Sequence, residues 1–394
     1  MKNVKLEQQY MLSLVGNVLF QTPFNAGDFA NIDYNYVSKK VDEQKFDVLI
    51  YNAMTNNDIH NKYYDFLTKR NYQLMILTSN QENEYQAISK LFDDNNIDYV
   101  PLKGTYMKHF YPAIDMRLMG DIDILIHEEQ RDLVTKLLTE NGYELEDNSH
   151  SAHHDIYNHG KYGHFEIHFR LLDQINEKRD NIDKMVWNHT SNHQFDNEFN
   201  IVYLLAHYAN HFIHGGASYK SMLDIGLLLY KENIDYEKLK EVLLETDLYN
   251  FYNNVVSLLN YSFNLSLHAF ENKLSDDEIE ELINFLFVCG DFGFGDENDS
   301  EKVRVVYEMS KKKKVTIFSK LWYIIKQVCI PYRTFKHLSK VIKYCPILLP
   351  FGWVVRLLKF LIFKRKRAKE KLSGINKVSN DDLDNFRIVH KMID

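Results

Sequence analysis

The run Gly120-Asp121-Ile122-Asp123-Ile124-Leu125-Ile126 restricts what this chain can fold into more than any other stretch. Ile122, Ile124 and Ile126 alternate with Asp121 and Asp123, and a period of two is the side-chain period of a β-strand. As a strand the run gathers three isoleucines on one face and two carboxylates on the other. Acids separated by one strand residue lie roughly 6 to 7 Å apart, close enough to hold hard cations from the same side. Mg²⁺ is the natural occupant, with Mn²⁺ as the alternative. Both acids are expected on an exposed face, so that Asn at either position leaves the fold intact.

A second run, His164-Phe165-Glu166-Ile167-His168-Phe169, repeats the alternation, with His164, Glu166 and His168 on the face away from Phe165, Ile167 and Phe169. On a neighbouring strand Glu166 comes beside the aspartates. Three carboxylates around two metal ions are what in-line attack on an α-phosphate requires, since the metals neutralise the triphosphate and lower the pKa of an attacking hydroxyl. Upstream, Leu102-Lys103-Gly104-Thr105 ends a β-type run and opens a helical one, where backbone N–H groups can cradle phosphate and Lys103 adds charge. Arg117 can clamp a phosphate bidentately, and Gly120 opens the Asp-x-Asp run. The ordinary reading of these acids is a solvated strand edge with Glu166 as an exposed carboxylate, and the flanking residues weigh against it.

The rest of the chain frames this unit. At 394 residues it exceeds one small core, and an apolar fraction of 45% with 26% charged residues excludes a disordered or collagen-like class. Apolar residues recur at helical spacing from Leu12 to Leu19 and from Phe46 to Ala53, so 1–96 reads as an N-terminal helical region. Short β-type runs flanking a helical stretch at 128–142 make 97–195 the catalytic domain. Helical periodicity resumes through Leu204-Leu205 and Leu227-Leu228-Leu229, giving a helical substrate-side domain at 196–300 and a basic helical segment at 301–394. The Gly- and acid-rich stretch Gly290 to Ser300 is the expected hinge. Cys289, Cys329 and Cys345 show no disulfide or zinc spacing, and Glu7, Gln8 and Gln9 interrupt any export signal, so a cytoplasmic chain is expected.

The string Leu102-Lys103-Gly104, Tyr111-Pro112, Arg117 and Gly120 to Ile126 resembles the bacterial uncharacterised nucleotidyltransferases of the DNA polymerase β superfamily. The resemblance extends to the helix Leu204 to His214 and to the Pro-containing stretch Tyr344 to Pro350. It implies an α+β fold in which a small polymerase-β-like α/β unit is embedded between an N-terminal helical region and a larger C-terminal helical domain. It also implies Asp121 and Asp123 as metal ligands, Glu166 as the third carboxylate, and transfer of a nucleoside monophosphate from an NTP to an acceptor with release of pyrophosphate. The usual nucleotide loop of that superfamily carries Gly-Ser closer to its Asp-x-Asp. Here Gly104-Thr105 stands 16 residues, counted from Thr105, before Asp121.

His207, His211 and His214 share a helix face at a spacing that can hold zinc, although lining an acceptor cleft or a structural role suits them better. Asp224 reads as a general base or, more simply, a salt-bridged acid. The stretch His150, His153, His154, His159 reads as a loop over the cleft. Residues 302–371 carry 20 Lys/Arg against Glu308 and Glu370, a surplus of +18 within an overall −8, so the remainder holds −26. Residues 344–367 combine an apolar run broken by Pro346, Pro350, Arg356 and Lys359 with Lys364-Arg365-Lys366-Arg367. Such a segment suits peripheral contact with an anionic membrane, or packing on the protein, better than a span. The acceptor is a small molecule or a protein, and nucleic acid is disfavoured because the basic segment lacks interleaved stacking aromatics. Two further readings stand beside the enzyme: a catalytically weak nucleotide- or protein-binding regulatory module of antitoxin type, and a membrane-surface factor acting through its basic tail.

Overall fold

In the computed structural model, residues 1–146, 153–172, 181–214, 218–289 and 344–363 are described, with single positions between 316 and 342 and residues 391–392. The expected hinge at 290–300, Lys311 to Lys314, Lys364 to Arg367 and His150 lie outside them. The chain divides into two compact units, one of residues 1–210, 217–291 and 392–394, the other of residues 211–216 and 292–391.

In the first unit the N-terminal helices are α1 Leu6–Phe20, α2 Tyr34–Gln44, α3 Asp47–Asn56 and α4 Lys62–Asp94. Side-chain oxygens fix two of their starts: Asp33 accepts from the N–H groups of Asn35 and Tyr36, and Asn61 from those of Tyr63 and Tyr64. Then follow β1 Tyr99–Pro101, the short α5 Lys103–Met107, β2 Ile122–Ile126, α6 Arg131–Glu140, β3 Glu144–Leu145, β4 His154–His159, β5 Gly163–His168 and α7 Asn181–Met185. After a two-residue hairpin pair, β6 Thr190–Ser191 and β7 Gln194–Phe195, come α8 Asn197–His214, α9 Tyr219–Lys231, α10 Tyr236–Glu245, α11 Tyr249–Phe263 and α12 Asp276–Cys289. The whole is helix-rich with one mixed five-stranded sheet, consistent with an α+β class.

The sheet runs β1-β2-β5-β4-β3, with β2 and β5 parallel and the other neighbours antiparallel. Its apolar face follows from the alternation. Ile122, Ile124, Ile126, Phe165, Ile167 and Tyr157 bury against Ile88 and Phe92 of α4 and Val134 and Leu138 of α6. The opposite face is thereby left to the polar residues of the same strands.

Strand β4 corrects the expectation of a loop at His153 to His159. Its sequence hides the strand because Asp155 stands at an inward position, paired in register with Ile167. That buried carboxylate is met by Arg131 at the start of α6, with Nη2 and Nε 2.6 and 2.7 Å from its two oxygens. The β4–β5 hairpin turns at Gly160, φ +57°, a conformation that a side chain disfavours.

In the second unit the longest described helix is α13, Leu349–Phe363. Gly352 lets it approach Phe335, whose ring would stand 2.9 Å from a Cβ there, and Trp353 donates from Nε1 to the Ile330 carbonyl at 2.9 Å. No described helix is long and apolar enough to cross a membrane.

Candidate active site

Strand pairing builds the site. Parallel register sets Asp123 opposite Glu166 and Leu125 opposite His168, and antiparallel register sets His154 opposite His168. Cross-strand partners share a face, so Asp123, Glu166, His168 and His154 converge on the side away from the apolar core. His168 Nε2 joins the two acids, 2.9 Å from Asp123 Oδ1 and 3.3 Å from Glu166 Oε2. Asp121, one step before β2 on the same parity, is near enough for the charges of Asp123 and Glu166 to act on it. The structure thus brings together the three acids expected from sequence.

Asp121 and Asp123 are not equivalent, which corrects the expectation that both are exposed. Asp123 is only 4% exposed and accepts from Lys103 Nζ at 2.7 Å as well as from His168. Lys103 reaches it from the β1–α5 junction with φ +46°, a left-handed conformation that a lysine holds only under constraint from its surroundings. Thr105 adds a further tie, its Oγ1 accepting from the Asp123 N–H at 3.1 Å.

The electrostatics follow from burial and these partners. Burial alone would raise the Asp123 carboxyl, yet the Lys103 ammonium and the His168 hydrogen bond hold it far below the usual carboxylate range. Glu166 is lowered by the same His168 against its own burial. Asp121 is pushed up, first by burial and then by Asp123 and Glu166, which makes it the most basic of the three acids. Burial drives the His154 imidazole down to about 4, while His168, also buried, is raised by its bonds to Asp123 and Glu166.

A divalent cation fits this donor set. Asp123, Glu166 and His168 each offer a ligand atom within 4.8 Å of the others. Tyr203, on α8, is fully buried, and the charges of Lys103, Asp123 and Glu166 bear on its hydroxyl, which has no hydrogen-bond partner among the described residues. A buried hydroxyl left without a partner there is what a missing polar ligand would explain.

The expected phosphate-binding residues divide. Gly104 is buried, and a Cβ on it would meet Met119 Cβ at 3.1 Å, tighter than an ordinary contact, so the packing favours glycine. Thr105 is taken up in holding β2. Gly120 is exposed with open space around it. Arg117 does not face the carboxylates as a free clamp. Its Nε and Nη2 meet Asp224 Oδ1 and Oδ2 at 2.8 and 2.7 Å, Nη1 donates to the Leu118 carbonyl at 2.7 Å, and Tyr111 Oη also donates to Asp224, at 2.9 Å. Asp224, weighed as a general base, is the acceptor of this buried triad. His207 is half-buried on α8, His211 is exposed, and the side chain of His214 lies outside the described residues.

Three residues of the site escaped identification by sequence. His168 shares the parity of Glu166, a signal that was present. His154 was masked by the unrecognised strand, and Tyr203 sits in an apolar helix that gives no hint of a polar neighbour.

Residues 40–264 match the family described as uncharacterised nucleotidyltransferase, a span that takes in the cluster from Lys103 to Asp224. No curated protein and no solved structure matches the chain.

Proposed function

Because the chain belongs to the family of uncharacterised nucleotidyltransferases, we propose that it moves a nucleoside monophosphate from an NTP to a hydroxyl or similar group of an acceptor, with Mg²⁺, and releases pyrophosphate. The family assignment supports nucleotidyl transfer in a generic sense. The metal, the triphosphate and the polymerase β-like kinship of the sheet are parts of this reading. The observation that carries it is the common face of Asp121, Asp123 and Glu166 on the parallel pair β2–β5.

Two Mg²⁺ ions, when bound, supply neutralisation of the triphosphate and acidification of the attacking hydroxyl. Asp121, Asp123 and Glu166 would hold them. As the acceptor oxygen bonds to the α-phosphorus, its proton passes to the carboxylate cluster, in which Asp121 is the most basic member, and the bond from that phosphorus to the bridging oxygen breaks. Pyrophosphate leaves with the electron pair. Lys103, paired with Asp123 at 2.7 Å, lies where its ammonium can meet phosphate charge. The acceptor is a small molecule or a protein.

The test is incubation of the protein with Mg²⁺, a cell extract and each NTP labelled in turn at the α- and γ-phosphorus. Label from the α-position should appear on an acceptor while γ-label leaves as pyrophosphate. Transfer of γ-label, or no transfer from any NTP, would overturn the reading.

A further inference from the structure

Three imidazoles meet beside the carboxylates. His153, just before β4, and His154, its first residue, present Nε2 and Nδ1 to each other at 3.0 Å. His168 comes across from β5, and each of the three rings offers a nitrogen within 4.8 Å of the other two. Glu166 completes the group. Its Oε2 lies 3.3 Å from His168 Nε2 and 3.8 Å from His154 Nδ1.

These separations have a chemical meaning. A tetrahedral ion with bonds of about 2.0 to 2.1 Å places neighbouring ligand atoms roughly 3.3 to 3.4 Å apart. The measured 3.0, 3.3 and 3.8 Å straddle that edge length. His168 is 1% exposed, so an ion held by its Nε2 would be shielded from water.

We propose that His153, His154, His168 and Glu166 form a site for a divalent transition-metal ion of the zinc type, beside the oxygen-rich position at Asp121 and Asp123. Three nitrogens and one oxygen select such an ion over Mg²⁺, which takes oxygen ligands almost exclusively. Glu166 has two carboxylate oxygens and can serve both positions. Asp123 keeps its Lys103 partner, since it is not needed as a ligand here. The site does not rest on the transfer reading, because it would bind its ion whether or not the protein acts on nucleotides.

Co²⁺ reports on it without any activity assay. Titrated into the full chain in excess Mg²⁺, Co²⁺ should give the intense visible bands of a tetrahedral ion at one equivalent. His153→Gln and His154→Gln together should weaken binding at least about tenfold, while Asp121→Asn should leave it unchanged. Should the double variant fail to fold, paramagnetic broadening in the wild-type protein needs no substitution: the ring protons of the three histidines should broaden first. Absence of the bands, their persistence at full strength in the folded double variant, or broadening that spares these rings would overturn the proposal. Failed NTP transfer with Co²⁺ bound would count against the transfer reading alone.

Discussion

Asp121 and Asp123 show how burial sets the meaning of a substitution. Asp123→Asn removes the charge that holds Lys103 and His168 in a buried position, so it should lose stability along with any activity. Asp121 is half-buried, and burial first and then its like-charged neighbours raise its pKa, so neutralising it removes a partly desolvated charge, relieves repulsion and should leave thermal unfolding unchanged or slightly higher. The Arg117–Asp224 pair is the other residue-scale device. It joins the segment before Gly120 to helix α9 through a fully buried fork. Asp224→Ala strands the guanidinium and should cost about 3 to 5 kcal/mol in urea unfolding. Replacing both partners by apolar residues of similar volume should recover much of it, and a loss under 1 kcal/mol (roughly the worth of an exposed pair) would show that the triad is not holding the segment.

Helix α8 carries Tyr203 toward the cluster, and its start depends on one residue. Asp196 accepts from the Phe199 N–H at 2.9 Å, from His189 Nδ1 at 2.7 Å and from Lys238 Nζ at 3.0 Å. Burial would raise its carboxyl, but the Phe199 N–H, His189 and Lys238 together bring it below the ordinary value. A carboxylate lowered in the folded state binds fewer protons there than in the unfolded chain. Its stabilisation is therefore present above the ordinary aspartate pKa and is lost as pH falls through the folded value. Asp196→Ala should cost about 1 kcal/mol at neutral pH, and the difference in melting temperature between the wild type and this variant should shrink as pH falls below about 4. A difference that stays constant with pH would remove Asp196 as a charged cap. The sequence made β2 and β5 legible because nothing interrupts their alternation. It concealed β4, where the inward Asp155 is tolerated only through Arg131, a partner 24 residues away in sequence. It also made Arg117 look like a phosphate clamp, because a free guanidinium and one locked to Asp224 read alike until α9 is placed.

For the whole molecule, charge and exposed apolar surface coincide in the C-terminal segment. Ile347, Phe351, Val354, Val355 and Leu358 are exposed on or beside α13, ahead of the four cations from Lys364 to Arg367. We propose that residues 344–367 contact anionic membrane surfaces peripherally. Cosedimentation with anionic vesicles at low salt should weaken as the Debye length falls below about 8 Å, and glutamine at Lys364 to Arg367 should abolish most of it. Binding that survives about 1 M salt, where screening reaches 3 Å, would indicate insertion instead, and no binding at low salt would refute surface contact. The account as a whole turns on Asp121, the acid whose neutralisation leaves the fold in place. The most direct measurement is Mg²⁺-dependent transfer of α-phosphorus label from NTP by the wild type and by Asp121→Asn of matched melting temperature. The account predicts a drop of at least about 10²-fold, the several kcal/mol by which metal ligation stabilises phosphoryl transfer; wild-type turnover in Asp121→Asn would contradict it.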